Sequence, residues 1–451
     1  MSSAKSRLVA RGFGQREGID YGDTYAPTPA SACIRLAASI ACELDLDLCH
    51  FDAQQAFVQS ELEEEVYMRL PEACGSMTGK VVRLNRSLYG LKQASRAWHG
   101  HLVSRLKHLG FEQCAADACV FRLIECGSVV IFAVMHVDDI FAVGRKERCD
   151  RFCEDLNRLV PINNLGELSW YAGCNFSRDR VKGTLTISQK AFAEKLVEKF
   201  GVTRSSRVPA SPSVKLEEFD ESEPEGQWPY RELVGGLMWL SNQTRPDITN
   251  ATRAVARYNH APKSVHWRAA MQVLEYVRGT SDLGITYQRG SGLQLEIFAD
   301  ADYASKATDR RSVSGGLVMS GGAAVSWLSR TQKCVTLSTT EAEYVAMADA
   351  VKEAMFLRHV WCFALPSRAV PCMNVYEDNQ GAVHLVKNTV TTSNSKHIDI
   401  RHHFMRELVF GGEIVVSHVS SELQHADVLT KPLTRELFVF HRNFMMNTQQ
   451  H

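Results

Sequence analysis

Asp138 and Asp139 stand as a bare acidic pair inside an apolar, β-branched-rich stretch, SVVIFAVMHVDDIFAVG, from Ser128 to Gly144. Two such runs joined by a tight polar turn predict a β-hairpin with the acids at its tip. Adjacent carboxylates there repel each other and lose solvation near the apolar strands. A hard cation such as Mg²⁺, which takes oxygen ligands, offsets both costs. Upstream, Asp52 in His50-Phe51-Asp52-Ala53 lies at a strand end that opens a turn. Clamping two metal ions needs carboxylates from at least two segments, which Asp52 and Asp138 would supply. In the C-terminal third, Asp300 ends a strand, Glu343 lies early in a helix, Asp378 ends another strand and Asp427 follows a loop. Each acid also has a purely structural reading. The pair at 138–139 can be a solvated turn, Asp52, Asp378 and Asp427 helix caps, Asp300 a turn cap and Glu343 part of a solvated helix face.

The elements that must position these residues follow from periodicity. Ser95 to Leu109 reads as a helix, and Phe192 to Phe200 has helical spacing that stops at Gly201. From about Ser205 to Gln227, prolines and serines give way to Glu217, Glu218, Asp220, Glu221, Glu223 and Glu225, a composition expected of a mobile acidic linker. Tyr230 to Gly279 predicts three helices, the second opened by Thr244-Arg245-Pro246-Asp247. Beyond Leu293 the pattern turns to α/β. A strand carries Leu293, Leu295 and Ile297. A hairpin turns at Gly321-Gly322, a helix runs from about Thr340 to Val360, and strands precede Glu377 and cover Glu413 to Val419.

Composition bounds the class. A chain of 451 residues with 45% hydrophobic and 23% charged residues suits two or three globular domains. The net charge is zero, so nucleic-acid contact must come from local patches. Between Ala73 and Gly110 no acid occurs, while Lys80, Arg83, Arg86, Lys92, Arg96, Arg105 and Lys107 fall there with Tyr89 and Trp98 interleaved. Such a stretch is either a base-stacking, phosphate-binding surface or a basic face balanced by Glu61 to Glu65. Thirteen scattered cysteines without a Cys-x-x-Cys pair point to reduced thiols in an intracellular compartment. No apolar run is long enough to span a membrane, and no secretory leader is recognisable.

The ordered set Asp52-x-x-x-Ala56-Phe57, Glu64-Glu65-Val66-Tyr67-Met68, Ser87-Leu88-Tyr89-Gly90-Leu91-Lys92-Gln93-Ala94 and Val137-Asp138-Asp139 resembles the reverse transcriptases of Ty1/copia-type LTR retrotransposons. The segments at Arg7–Gly12, Asn164–Phe200 and Tyr230–Thr280 fit the same resemblance. It implies an α+β fold, with a right-hand polymerase palm, partial fingers and helical thumb, followed by an α/β ribonuclease-H-like domain. The expected boundaries are 1–202 for fingers and palm, 203–229 for the acidic linker, 230–290 for the thumb and connection, 291–440 for the ribonuclease-H-like domain and 441–451 for a tail.

By the same resemblance, Asp52 and Asp138 bind two Mg²⁺ ions, or Mn²⁺, with Asp139 engaged more weakly. Lys5 and Arg7 neutralise the incoming triphosphate, and Phe57 selects deoxynucleotides by excluding a 2′-hydroxyl. Tyr89, Lys92 and Arg96 lie on the face followed by RNA template and DNA primer. Asp300, Glu343, Asp378 and Asp427 resemble the four-carboxylate set of ribonuclease H, binding two further ions. His425 either assists proton transfer or product release or is a packed or surface side chain, and Ser395–His403 is a basic helical segment facing substrate rather than a zinc site. The implied activity is RNA-directed DNA polymerase coupled to cleavage of RNA in RNA–DNA hybrids. The alternatives are a non-catalytic nucleic-acid-binding remnant or a nuclease alone. The implied location is the cytoplasm, in particles, and the nucleus. His136 replaces the usual Tyr before Val-Asp-Asp, Ser95 the usual Pro, and Thr28-Pro29-Ala30 lacks a basic residue. The chain is expected to be an N-terminally truncated piece of the polyprotein, lacking upstream fingers, protease and integrase.

Overall fold

The computed structural model describes residues 8–217, 219–220, 222–223, 226–305, 310–387 and 396–448. It divides into two compact units. The first comprises Met1–Ala30, Leu46–Leu168 and Phe363–Ser367, and the second Ser31–Asp45, Ser169–Cys362 and Arg368–His451.

The first unit is built on six antiparallel strands in the spatial order Phe111–Gln113, Val120–Glu125, Ser128–His136, Asp139–Gly144, Asp47–Ala53 and Ile162–Glu167. The run from Ser128 to Gly144 folds as the expected hairpin, with His136 opposite Asp139. Its residues alternate between faces. Ile131, Ala133, Met135, Ile140 and Ala142 join one core with Trp98, Leu102 and Leu106 of the helix Ala94–His108 and Phe152 and Leu156 of the helix Lys146–Asn157. Phe132, Val134, Phe141 and Val143 on the opposite face are buried as well. Burial on both faces is why the sequence shows unbroken apolar runs instead of alternation. A two-stranded ribbon pairs Glu61–Arg69 with Val81–Arg86.

The second unit holds a four-stranded sheet and a five-stranded sheet. In the first, Thr184–Ser188 pairs with Gly284–Gln288 across the intervening helical region. The second runs Ala323–Thr331, Val313–Ser320, Glu296–Asp302, Met373–Glu377, Ile414–His418, antiparallel through the first three strands and parallel through the last two. Helices Tyr230–Gln243, Thr249–Ala256 and Ser264–Gly279 share one core with this sheet and with the final helix, Arg435–Met446. Leu233, Leu237, Val273 and Val277 pack with Leu317, Met319, Phe438 and Met445.

The described part of the acidic stretch expected to be a mobile linker makes fixed contacts. Glu217 pairs with Arg257 at 3.0 Å, and Glu223 accepts from the Ser264 N–H at 3.1 Å, at the start of a helix. Buried His266 bonds the Leu216 carbonyl at 2.9 Å. One cation and one backbone N–H more than thirty residues downstream hold two of these acids, which composition alone does not reveal. All thirteen cysteines are free thiols. Among the described residues no helix is long and apolar enough to cross a membrane.

Candidate active sites

In the first unit, Asp52 is the register partner of Asp139. The hairpin tip is fixed from two sides. The Ala53 N–H donates to the Asp138 carbonyl at 2.9 Å, and Trp98 Nε1 donates to the Val137 carbonyl at 2.7 Å. Val137 takes a left-handed φ of 60°, a strained conformation for a β-branched residue, and the surrounding bonds hold it there. Asp52 and Asp138 line a cleft of about 370 Å³ with Gln54, Gln55, Tyr89 and Asn163. Burial pushes the Asp138 carboxyl above its ordinary range, and the neighbouring charges of Asp139 and Asp52 add to the effect. Asp139 is turned toward His50, whose Nε2 lies 2.8 Å from its carboxylate. Asn163 donates to Asp52 at 3.4 Å and accepts from Gln54 at 2.6 Å.

Several expected substrate contacts fall differently. Trp98 is 1% exposed and belongs to the core, so it offers no stacking face. Helical spacing carried it inward while its basic neighbours stayed outside. Phe57 is partly buried against two core clusters, its ring 4.8 Å from that of Tyr89, and it is Tyr89 that lines the cleft. Lys92 is exposed and bonds the Tyr21 hydroxyl at 2.9 Å, while Arg96 pairs with Asp23 at 2.8 Å. Lys5 and Arg7 lie outside the described residues.

The second unit brings the C-terminal acids together. Asp300 projects from the central strand Glu296–Asp302, and Asp378 lies just past the adjacent parallel strand Met373–Glu377. Glu343 sits in the first turns of the helix Thr339–Ala364. One ligand oxygen from each of Asp300, Glu343 and Asp378 lies within 4.8 Å of the others. Among the described residues this is the one set of three potential ligands so close; Asp52, Asp138 and Asp139 do not form another.

Asp427 reaches the centre from the short helical turn His425–Leu429. Gly315, opposite Asp300 in the sheet, permits that approach. A Cβ there would lie 2.7 Å from Thr430 Cγ2 and 2.9 Å from the Ala426 carbonyl. Thr430 accordingly donates its hydroxyl to Asp300, and Lys431 Nζ lies 3.0 Å from Asp427 Oδ1.

This site is electrostatically expensive. Burial, then the charges of Glu377, Asp300 and Asp378, push Glu343 up to about 11. Burial and Asp300 push Asp427 up to about 7. Asp300 and the fully buried Glu377 are raised as well, each chiefly by desolvation. Buried carboxylates that repel one another and lack enough donors fit a divalent cation with hard oxygen ligands. Such an ion would be held by Asp300, Glu343 and Asp378, with Asp427 at the margin.

His425 is a packed residue. It is 5% exposed, stacks on Phe444 with ring centroids 3.5 Å apart and meets His441 Nδ1 at 3.1 Å. Burial depresses it to about 3, so it stays neutral. Lys396–Phe410 is helical as expected, while Ser395 lies outside the described residues. Reading the sequence missed Asn163, Glu377 and Lys431. Only Lys431 carried a signal, its spacing of four from Asp427.

An acid-tipped antiparallel hairpin and a carboxylate-bearing mixed α/β sheet are the two centres of this chain. The family described as reverse transcriptase (RNA-dependent DNA polymerase) matches residues 2–214. The chain is 35% identical over 447 residues to the retrovirus-related Pol polyprotein from transposon TNT 1-94 of Nicotiana tabacum, covering 96% of this chain and 33% of that protein. It is 34% identical over 442 residues to that from transposon RE2 of Arabidopsis thaliana, covering 96% and 30%. Among solved structures, the foamy viral protease-reverse transcriptase in complex with RNA/DNA hybrid aligns with 83% of this chain and 44% of that one, at 11% identity and a TM-score of 0.43. That likeness is too slight to carry an assignment. Residues 2–214 belong to the reverse transcriptase family. The chain corresponds to the reverse transcriptase–ribonuclease H region of copia-type Pol polyproteins and spans about a third of the length of these curated relatives.

Proposed function

We propose that this region is an RNA-directed DNA polymerase coupled to a ribonuclease H. The convergence of Asp300, Glu343 and Asp378 from a strand, a helix and a second strand end carries the reading. At the hairpin centre a primer 3′-hydroxyl, losing its proton, attacks the α-phosphate of a dNTP on an RNA template, and the bond from that phosphorus to the β-phosphate oxygen breaks to release pyrophosphate. At the second centre a water attacks the RNA strand of an RNA–DNA hybrid. Two Mg²⁺ ions per centre, or Mn²⁺, would supply Lewis acidity to the attacking and leaving oxygens. The protein's own part is positioning. Asp52 and Asp138 face one cleft, Asn163 orients Asp52, and Trp98 with Ala53 fixes the hairpin tip. Tyr89 presents its ring beside the nucleotide, backed by Phe57. In the second unit, Thr430 orients Asp300 and Ser421 holds Asp378 at 2.6 Å. The protein would work inside the cell, in cytoplasmic particles and the nucleus.

A nuclease acting alone is the second reading. It is favoured by Asp139 turning to His50 while only the C-terminal acids close into a three-ligand set among the described residues. The test is primer extension and hybrid cleavage with Mg²⁺, measured for the chain, Asp138→Asn and Asp378→Asn. Coupled function requires extension that only Asp138→Asn abolishes and cleavage that only Asp378→Asn abolishes. Cleavage without extension selects the nuclease alone. Neither activity leaves a binding remnant.

A further inference from the structure

The C-terminal centre carries a positive charge of its own. Lys431 follows Asp427 by one helical turn, its N–H bonded to the Asp427 carbonyl at 3.1 Å. Its ammonium lies 3.0 Å from Asp427 Oδ1 and 3.9 Å from Asp300 Oδ2. Its charge acts on Asp300 and Asp427 first and on Asp378 more weakly. The anchoring is unequal. Asp300 and Asp427 are 2% and 8% exposed, and Thr430 holds Asp300 in place. The Lys431 side chain is 39% exposed, so its flexible stem has a path to water.

We propose that Lys431 is a tethered cation that competes with a divalent ion for Asp300 and Asp427, and so sets the affinity of the second ion at this centre. The proposal rests on the nuclease reading above. A first ion at Asp300, Glu343 and Asp378 leaves the closer Lys431–Asp427 pair in place. A second ion between Asp300 and Asp427 must push the ammonium aside, because two cations at that range from the same pair of oxygens repel each other. Occupancy is therefore stepwise, one tight ion and one weak. Lys431 is a positioning residue, acting through the two carboxylates it holds.

The experiment is calorimetric titration of MgCl₂ into the full chain on an Asp138→Asn background, which removes one ligand of the other centre. Lys431→Met keeps the length and drops the charge, and Lys431→Gln is the fallback should Met misfold. Either is expected to tighten the weaker step at least tenfold while leaving the tighter step within twofold. Lys431→Arg is expected to keep the weak step. In EDTA the Met variant should melt below its parent, and saturating MgCl₂ should close the gap. A weaker step left unchanged or loosened in both neutral variants overturns the proposal. If Asp378→Asn leaves both steps as in the parent, the ions bind elsewhere, and the nuclease reading itself falls.

Discussion

The charge held at the C-terminal centre should be legible in the stability of the chain when divalent ions are chelated. Asp427 is raised from its ordinary 3.8 to about 7, by burial first and the charge of Asp300 second. Below pH 3.8 the residue is protonated in both folded and unfolded chains, and its contribution to stability is fully present. Between 3.8 and 7 the folded chain keeps a proton that the unfolded chain has released, so stability falls as pH rises. At 1.36 kcal/mol per pH unit the loss accumulates to on the order of 4 kcal/mol by pH 8. Asp427→Asn is neutral throughout and escapes it. Urea unfolding in EDTA, followed by tryptophan fluorescence at pH 4, 5, 6, 7 and 8, measures the difference between the two proteins, in which groups remote from Asp427 cancel while Asp300 and Lys431, which feel its charge, contribute alongside it. The variant should gain on the wild type by about 1.4 kcal/mol per pH unit up to pH 7 and then level off. Parallel pH profiles would refute the reasoning, since they would mean that Asp427 is not desolvated beside Asp300.

The remaining predictions concern each centre separately. Asp138→Asn should lower primer extension by about a hundredfold to a thousandfold, the scale of losing one preorganised electrostatic partner, with hybrid cleavage unchanged in the same preparation. Asp378→Asn should do the reverse in a hybrid-cleavage assay. Phe57→Val should raise ribonucleotide incorporation, and Tyr89→Ala, at the residue lining the cleft, should raise it more; single-nucleotide extension with rNTPs ranks the two. Trp98→Phe removes the donor to the Val137 carbonyl and should cost about 1–2 kcal/mol in urea unfolding, with extension reduced and cleavage untouched.

Much of the architecture is readable because burial imposes a period. The hairpin at 128–144 and the helix at 94–108 appear as an apolar run and a helical spacing, and both are present. The C-terminal acids are legible by the elements that carry them, since Asp300 lies in a strand, Glu343 in a helix and Asp378 just past a strand end. Three things escape this logic. Trp98 sits among basic residues, and only the turn of the helix decides that it faces inward. Asn163 meets Asp52 through strand pairing between segments 111 residues apart, which no local pattern encodes. The acidic stretch after Ser205 finds partners far along the chain, Glu217 at Arg257 and Glu223 at the Ser264 N–H, so its composition reads as mobility while these partners hold its described part.

The helix Ser31–Glu43 belongs to the second unit although the chain goes on to build the first. Its Arg35 donates to the carbonyls of Asn242 and Val325, 207 and 290 residues later. At a ribosome adding about 5–20 residues per second, this segment waits roughly 15 s to a minute for its last partner to be made. Its apolar side, which includes Leu36, Ala37 and Ile40, is covered in steps, by Thr184–Ser188, then Gly284–Gln288 and last Ala323–Thr331. A nascent or cleaved product ending before Thr184 therefore carries this helix with none of the strands that cover it, so early termination there should yield aggregating fragments instead of a self-contained first unit.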